Sequence, residues 1–322
     1  MAKKANQKVY FNSDQQIAKL KSDGLYIPDE KHAKRRLKWE GYYNFAVGYN
    51  RLFKDENKRY RKGVSFEHVE ALFDFDKRLR EIVYEATQQV ECNIKAMVSD
   101  VFSARYGVDE RVYLQEANFT QAPNELPHVR WIIGTCRSAL QDARKVGSSA
   151  YRDYIAYYDK TYQHVPFWVL IRLLSFGNVS KFLSLLKLDD GREVAKEYGL
   201  SYAELCNIIE LLVCFRNIAA HGERVYCVQL PRVRLTQGLG VLPKLELPKK
   251  QDGATMYGDN DCMAMIIALK YVLPKAAFDD YFGQLKRAVE TLEGQLPAFA
   301  YHRVLHAMGL QGNWKNLNRM EK

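Results

Sequence analysis

The run Ser201-Tyr202-Ala203-Glu204-Leu205-Cys206-Asn207-Ile208-Ile209-Glu210-Leu211-Leu212-Val213-Cys214-Phe215-Arg216-Asn217-Ile218-Ala219-Ala220-His221-Gly222 reads as a helix with both ends marked. Ser201 and Glu204 have the spacing of a capping box, and Gly222 suits the left-handed residue that closes a helix. Leu205, Ile208, Ile209, Leu212 and Phe215 give a broad apolar face at helical spacing. The rod is greasy along its length and polar at its end, where Arg216, Asn217 and His221 stand.

Helical geometry sorts these three. At about 100° per residue, Asn217 and His221 share a face, whereas Arg216 and His221, five steps apart, diverge by about 140°. Imidazole moves protons near neutral pH, and guanidinium grips phosphate oxygens in a fork without losing its proton. The combination suits RNA cleavage without a metal: a base takes the 2′-hydroxyl proton, an acid protonates the leaving 5′-oxygen, and the cation stabilises the charged intermediate. One histidine does not readily fill both proton roles, so two copies of this helix end, facing across a two-fold axis, would complete a site. The plainer reading is a histidine that caps a helix and an arginine that pairs with an acid.

Outward from this helix, the composition is that of an ordinary globular protein: 322 residues, 47% hydrophobic and 27% charged. No uncharged apolar run approaches the ~18 residues a membrane helix needs, the longest being broken by Arg172 and Lys270. Met1–Asn6 is basic without an apolar core, which predicts no signal peptide and a cytoplasmic protein. The six cysteines are scattered with no C-x-x-C, and are expected to be reduced and mostly buried. No phosphate-binding loop, dinucleotide fingerprint, nucleophile elbow or H-E-x-x-H occurs. His302 and His306 are four apart, but no third ligand stands at metal-binding spacing, so neither a metal site nor a cofactor is expected.

The net charge of +10 points to an acidic partner, most simply nucleic acid. Most of it comes from one stretch: eleven basic residues against three acids between Lys31 and Lys62. Lys31, Lys34, Arg35, Arg36, Lys38, Arg51, Lys58, Arg59, Arg61 and Lys62 are the candidate RNA contacts. Trp39, Tyr42, Tyr43, Phe45, Tyr49, Phe53 and Tyr60 are interleaved with them, and most of these rings are expected in a small core. This surface is expected to lie apart from the reaction centre.

A second long helix is predicted from Ser65 to Gly107, with a kink near Ala86–Gln89 on account of its length. Asp76 and Arg80, four apart, read as a surface pair. Glu91 interrupts the apolar face; it either orients Arg216 or His221 or locks a buried ion pair. Asp74, Asp189 and Asp190 read as helix-surface or loop acids. Further helices are expected at about 127–146, 149–162, 166–174, 179–186, 192–198, 261–272 and 275–292. Between them, Val225–Leu230 and Val233–Leu235 are β-like, and a small hairpin or extended arm is expected over 225–258.

Arg216-Asn217-Ile218-Ala219-Ala220-His221 resembles the Arg-x4-His motif of HEPN ribonucleases. Trp39–Phe45, Phe75–Arg80, Val90-Glu91, Phe167-Trp168, Leu174–Gly177, Arg224–Tyr226, Met308–Leu310 and Trp314 resemble, in order and spacing, the abortive-infection AbiD/AbiF-like family, nearest its AbiF branch. The resemblance implies an all-α protein with a HEPN-like bundle at 65–230, a basic element at 1–64, an irregular or β arm at 231–260 and C-terminal helices at 261–322. It also implies a toxin that cleaves RNA during phage infection, with Arg216, Asn217, His221 and a supporting Glu91 at its site. A small structured noncoding RNA is implied as partner and restraint, and a homodimer through the HEPN helices. The rival expectation is an RNA-binding protein that cleaves nothing; a third is nucleotidyl transfer or hydrolysis at the same site.

Overall fold

The computed structural model describes residues 10–322, so the basic start at Met1–Asn6 lies outside the described residues. The fold is all-α. Its axis is α3 (Phe66–Tyr106), 41 residues long, which at 1.5 Å per residue spans about 60 Å. Its ends are the predicted ones: Ser65 and His68 cap the start, and Gly107, at φ 80°, closes it. The helix runs unbroken through 86–89, where a kink was expected. Every turn has a neighbour to bury against, so tertiary packing supports a length that an isolated domain helix rarely reaches. At Thr87 the hydroxyl donates to the Val83 carbonyl one turn back, at 2.8 Å.

Before α3 come α1 (Ser13–Ser22) and α2 (Glu30–Glu40), capped by Asn12 and Asp29. A π-helical turn (Tyr43–Val47) and a 3₁₀ turn (Asn50–Phe53) follow. The seven interleaved rings divide here. Phe45, Tyr49, Phe53 and Tyr60 are buried and Tyr42 is half-buried, but Trp39 and Tyr43 are 83% and 74% exposed. Phe45 and Tyr49 pack on Phe73 of α3 with ring centroids 5.0 and 5.2 Å apart, so the basic element shares its core with the long helix.

Beyond α3 run α4 (Glu110–Tyr113), α5 (Leu126–Arg144), α6 (Asp153–Tyr162), α7 (Phe167–Leu170), α8 (Phe176–Ser184) and α9 (Leu188–Lys196). Phe102 of α3 is ringed by Tyr106, Tyr113, Phe119, Phe167 and Phe182, an aromatic centre for this half. Asp190, expected on a surface, is buried and accepts the Tyr106 hydroxyl at 2.6 Å. Next is α10 (Tyr202–Ala220), laid along α3. Then α11 (Cys262–Val272) is buried at every residue, as an all-round apolar helix must be. After it come α12 (Lys275–Glu293) and α13 (Ala298–Met308).

The expected hairpin does not form. Among the described residues, 225–258 holds no ladder, only an isolated bridge between Lys249 and Thr255. Leu230, Leu235, Leu239, Val241, Leu242, Leu245 and Leu247 are instead buried as separate anchors. Pro231, Gly238, Gly240, Pro243 and Pro248 cut the apolar runs too short for pairing. The segment finds other partners: the Asn207 side chain donates to the Arg234 carbonyl and accepts the Thr236 N–H, at 2.8 and 3.0 Å. No helix among the described residues is long and apolar enough to cross a membrane.

Candidate functional site

The polar end of α10 is aimed by the helix's own caps and by its packing on α3. Ser201 and Glu204 close the capping box, with the Ser201 N–H donating to Glu204 at 2.8 Å. Gly222 takes φ 71°, a left-handed value that glycine adopts without strain. Phe215 and Ala219 face inward, which leaves Arg216 half-buried against α3 and Asn217 and His221 exposed.

Arg216 meets Glu91. Its Nη2 lies 3.5 Å from Glu91 Oε2, and its Nη1 donates to Asn217 Oδ1 at 3.1 Å. The other oxygen of Glu91 accepts from Lys95 at 2.7 Å. The Glu91 carboxylate thus sits between two cations, and the guanidinium is steered from two sides. Glu91 is thus in an ion pair, and of the two groups named for it the one it contacts is Arg216. The His221 imidazole joins none of these bonds, and its side chain has no hydrogen-bond partner among the described residues. Its backbone N–H donates to the Asn217 carbonyl at 3.0 Å. Arg216 and His221 thus share no hydrogen bond in the folded chain.

His221 instead opens onto a groove of about 500 Å³, lined also by Gly222, Glu223, Arg224, Cys227, Tyr43, Asn44 and Gly48. Asp76 fixes this wall. The Asp76–Arg80 pair exists at 2.6 Å but is not on the surface, because Asp76 has no exposure. Its Oδ1 accepts the N–H groups of Val225 and Tyr226, and its Oδ2 accepts the Tyr49 hydroxyl at 2.6 Å. The Tyr49 and Tyr226 rings stack at 5.7 Å. Burial pushes the Asp76 carboxyl up, against the donations of Tyr49, Tyr226, Arg80 and Val225. Arg224 Nη1 donates to the Gly48 carbonyl, closing the chain after His221 onto the N-terminal element. The sequence reading missed Asp76, Arg224, Tyr43 and Asn44 as parts of this site. The signal for Asp76 was its place within the apolar stripe Leu72, Phe73, Asp76, Leu79.

The candidate RNA contacts separate into two groups. Lys31, Arg35, Lys38, Arg51, Lys58, Arg59, Arg61 and Lys62 are exposed. Lys34 is tied to Asp14 at 2.5 Å. Arg36 is held among Glu40, Glu70 and Asp74, with its guanidinium over the Phe73 ring at 5.4 Å. Lys34 and Arg36 are thus engaged within the fold. All six cysteines are free thiols; Cys92 and Cys227 are exposed, contrary to the expected burial. His306 hydrogen-bonds the Tyr257 hydroxyl through Nδ1 at 2.5 Å. No group of three or more His, Cys, Asp or Glu side chains that could hold a metal occurs among the described residues.

The model of the Abi-like protein family matches residues 35–227, more than half of the chain. The matched span runs from the basic element through α10 to Cys227 and contains every residue of the groove and of the Glu91–Arg216 pair. No curated protein and no solved structure matches the chain.

Proposed function

The chain belongs to the Abi-like protein family, and from that premise we propose that it is a metal-independent endoribonuclease of the HEPN type that acts as an abortive-infection toxin. The observation that carries the reading is the end of α10: a guanidinium steered by Glu91 and Asn217, with an unpartnered imidazole one turn further on. Arg216 holds the scissile phosphate, and Asn217 keeps the guanidinium in line. His221 of one copy takes the proton from the 2′-hydroxyl. The 2′-oxygen attacks the adjacent phosphorus, the bond to the 5′-oxygen breaks, and His221 of a second copy protonates that oxygen. The products carry 2′,3′-cyclic phosphate and 5′-hydroxyl ends. The site is shared by a homodimer because one chain presents one histidine here. A small structured noncoding RNA binds the exposed basic residues and restrains the toxin.

The test is cleavage of RNA by protein stripped of copurifying nucleic acid, with the ends mapped chemically. Cyclic phosphate ends that persist in EDTA and vanish in His221→Ala support the reading; equal cleavage by His221→Ala overturns it. A strict monomer that cleaves RNA normally overturns the shared site, because each copy supplies one of its two histidines. A second reading, a structured-RNA-binding protein without cleavage, is favoured by the exposed basic residues of 31–62. It predicts tight binding and no cleavage by the unmodified chain.

A further inference from the structure

We propose that the groove beside His221 is a nucleotide subsite for single-stranded RNA, in which Tyr43 stacks on a base next to the scissile phosphate and Arg224 holds a neighbouring phosphate. This rests on the ribonuclease reading for the words "scissile phosphate" but not for the binding itself.

Two observations carry it. The first is the presentation of Tyr43. Most rings of the basic element are buried or half-buried, yet Tyr43 lines the groove with 74% of its surface exposed. It opens the π-helical turn Tyr43–Val47, a rare geometry. That turn drives Phe45 and Ala46 into the core while leaving Tyr43 and Asn44 outside. Burying the Tyr43 ring would add core; the fold instead holds a large flat apolar surface in water beside a histidine. A base stacked on such a ring gains about 1–3 kcal/mol with little regard to sequence. Asn44, also exposed and lining the groove, has an amide able to donate to and accept from a base edge.

The second is the charge and rigidity of the opposite wall. Arg224 spends Nη1 on the Gly48 carbonyl, while its Nε and Nη2 have no hydrogen-bond partner among the described residues. Its backbone is held because Val225 and Tyr226 are bound to Asp76. A guanidinium pinned at one nitrogen and open at the others is pre-organised for a phosphate oxygen. Glu223 is the carboxylate of the lining, opposed by Arg224 and His221. The helix α2, with Lys38 and the exposed Trp39, leads into the turn. The N-terminal element therefore contributes Tyr43, Asn44 and Gly48 to the groove that His221 lines.

The experiment uses the full chain carrying His221→Ala, freed of nucleic acid, titrated with a fluorescently labelled six-nucleotide single-stranded RNA. Tyr43→Ala in that background weakens binding about tenfold, as loss of one stacked base requires, whereas Tyr43→Phe leaves it within about twofold. Arg224→Met weakens binding and lowers its salt dependence, and circular dichroism melting checks that its wall has not unfolded. Equal affinity of the Tyr43→Ala and parent proteins, with melting unchanged, overturns the subsite. If the unmodified chain cuts no RNA but binding depends on Tyr43, the catalytic reading fails and the subsite stands. If it cuts RNA normally with Tyr43→Ala, the subsite fails and the catalytic reading stands.

Discussion

Asp76 accepts the backbone N–H of Tyr226 at 2.8 Å across 150 positions of the chain. This bond, with its companion to Val225, carries the wall after His221 onto α3. Asp76→Ala strands Arg80 and leaves two backbone donors unpaired. Removing one partner of a buried pair costs about 3–5 kcal/mol, so the denaturation midpoint should fall steeply. Asp76→Asn keeps two of the acceptor positions on its carbonyl oxygen and should cost less. Urea unfolding of both variants measures the order; equal losses would show that the buried charge, not the loop tether, sets the stability.

The Glu91–Arg216 contact makes a graded prediction for cleavage. His221→Ala removes a proton-transfer group and should cost about 10²–10⁴-fold. Arg216→Ala should cost about 10²–10³-fold, the usual toll for one group that stabilises transition-state charge. Glu91→Ala acts only through Arg216, so its loss should be smaller and should disappear in an Arg216→Ala background. Single-turnover rates of the single and double variants give the answer. Additive losses would mean that Glu91 does not work through Arg216.

RNA binding should follow the division of the basic residues. Neutralising Lys58, Arg59, Arg61 and Lys62, all exposed, should weaken binding of a structured RNA and flatten its dependence on salt. Each lost phosphate contact reduces the log–log slope by about 0.7–0.9. Arg36→Gln should leave that slope unchanged and lower thermal stability, because its partners are Glu40, Glu70 and Asp74. A slope lowered by Arg36→Gln as much as by Lys58→Gln would overturn the distinction.

Asp261 gives a pH dependence. It caps α11 by accepting the Ala264 N–H at 3.0 Å, and burial pushes its carboxyl up to about 6 from the usual 3.8. A raised acid holds its proton more tightly when folded. Its contribution is complete below the ordinary value and is lost as pH rises through about 6. Asp261→Asn, which mimics the protonated form, should gain on the parent protein by about 2–3 kcal/mol between pH 4 and pH 7. Chemical denaturation at the two pH values checks this; a constant difference would show that the carboxyl is not raised.

Much of this molecule was legible because the signals were local. The ends of α3 and α10 were written in Ser65, Gly107, Ser201, Glu204 and Gly222, residues that satisfy backbone groups within a turn of themselves. The apolar period of α11 and α12 placed both helices to within a residue or two. The hairpin alternative for 225–258 failed because β-branched residues mark strands only when a partner strand exists, and the prolines and glycines denied one.

By itself, then, the sequence determined the helices, the charge-rich N-terminal element and the polar end of α10, since caps, periodicity and composition act over three or four residues. Only the tertiary structure decided that Glu91 reaches Arg216, that Asp76 is a buried tether, and that Tyr43 stays in water while Tyr49 does not. Those outcomes depend on which faces of α3, α10 and the N-terminal turns dock. A side chain's partner across 125 or 150 residues is fixed by the packing of whole elements, and no local spacing encodes it.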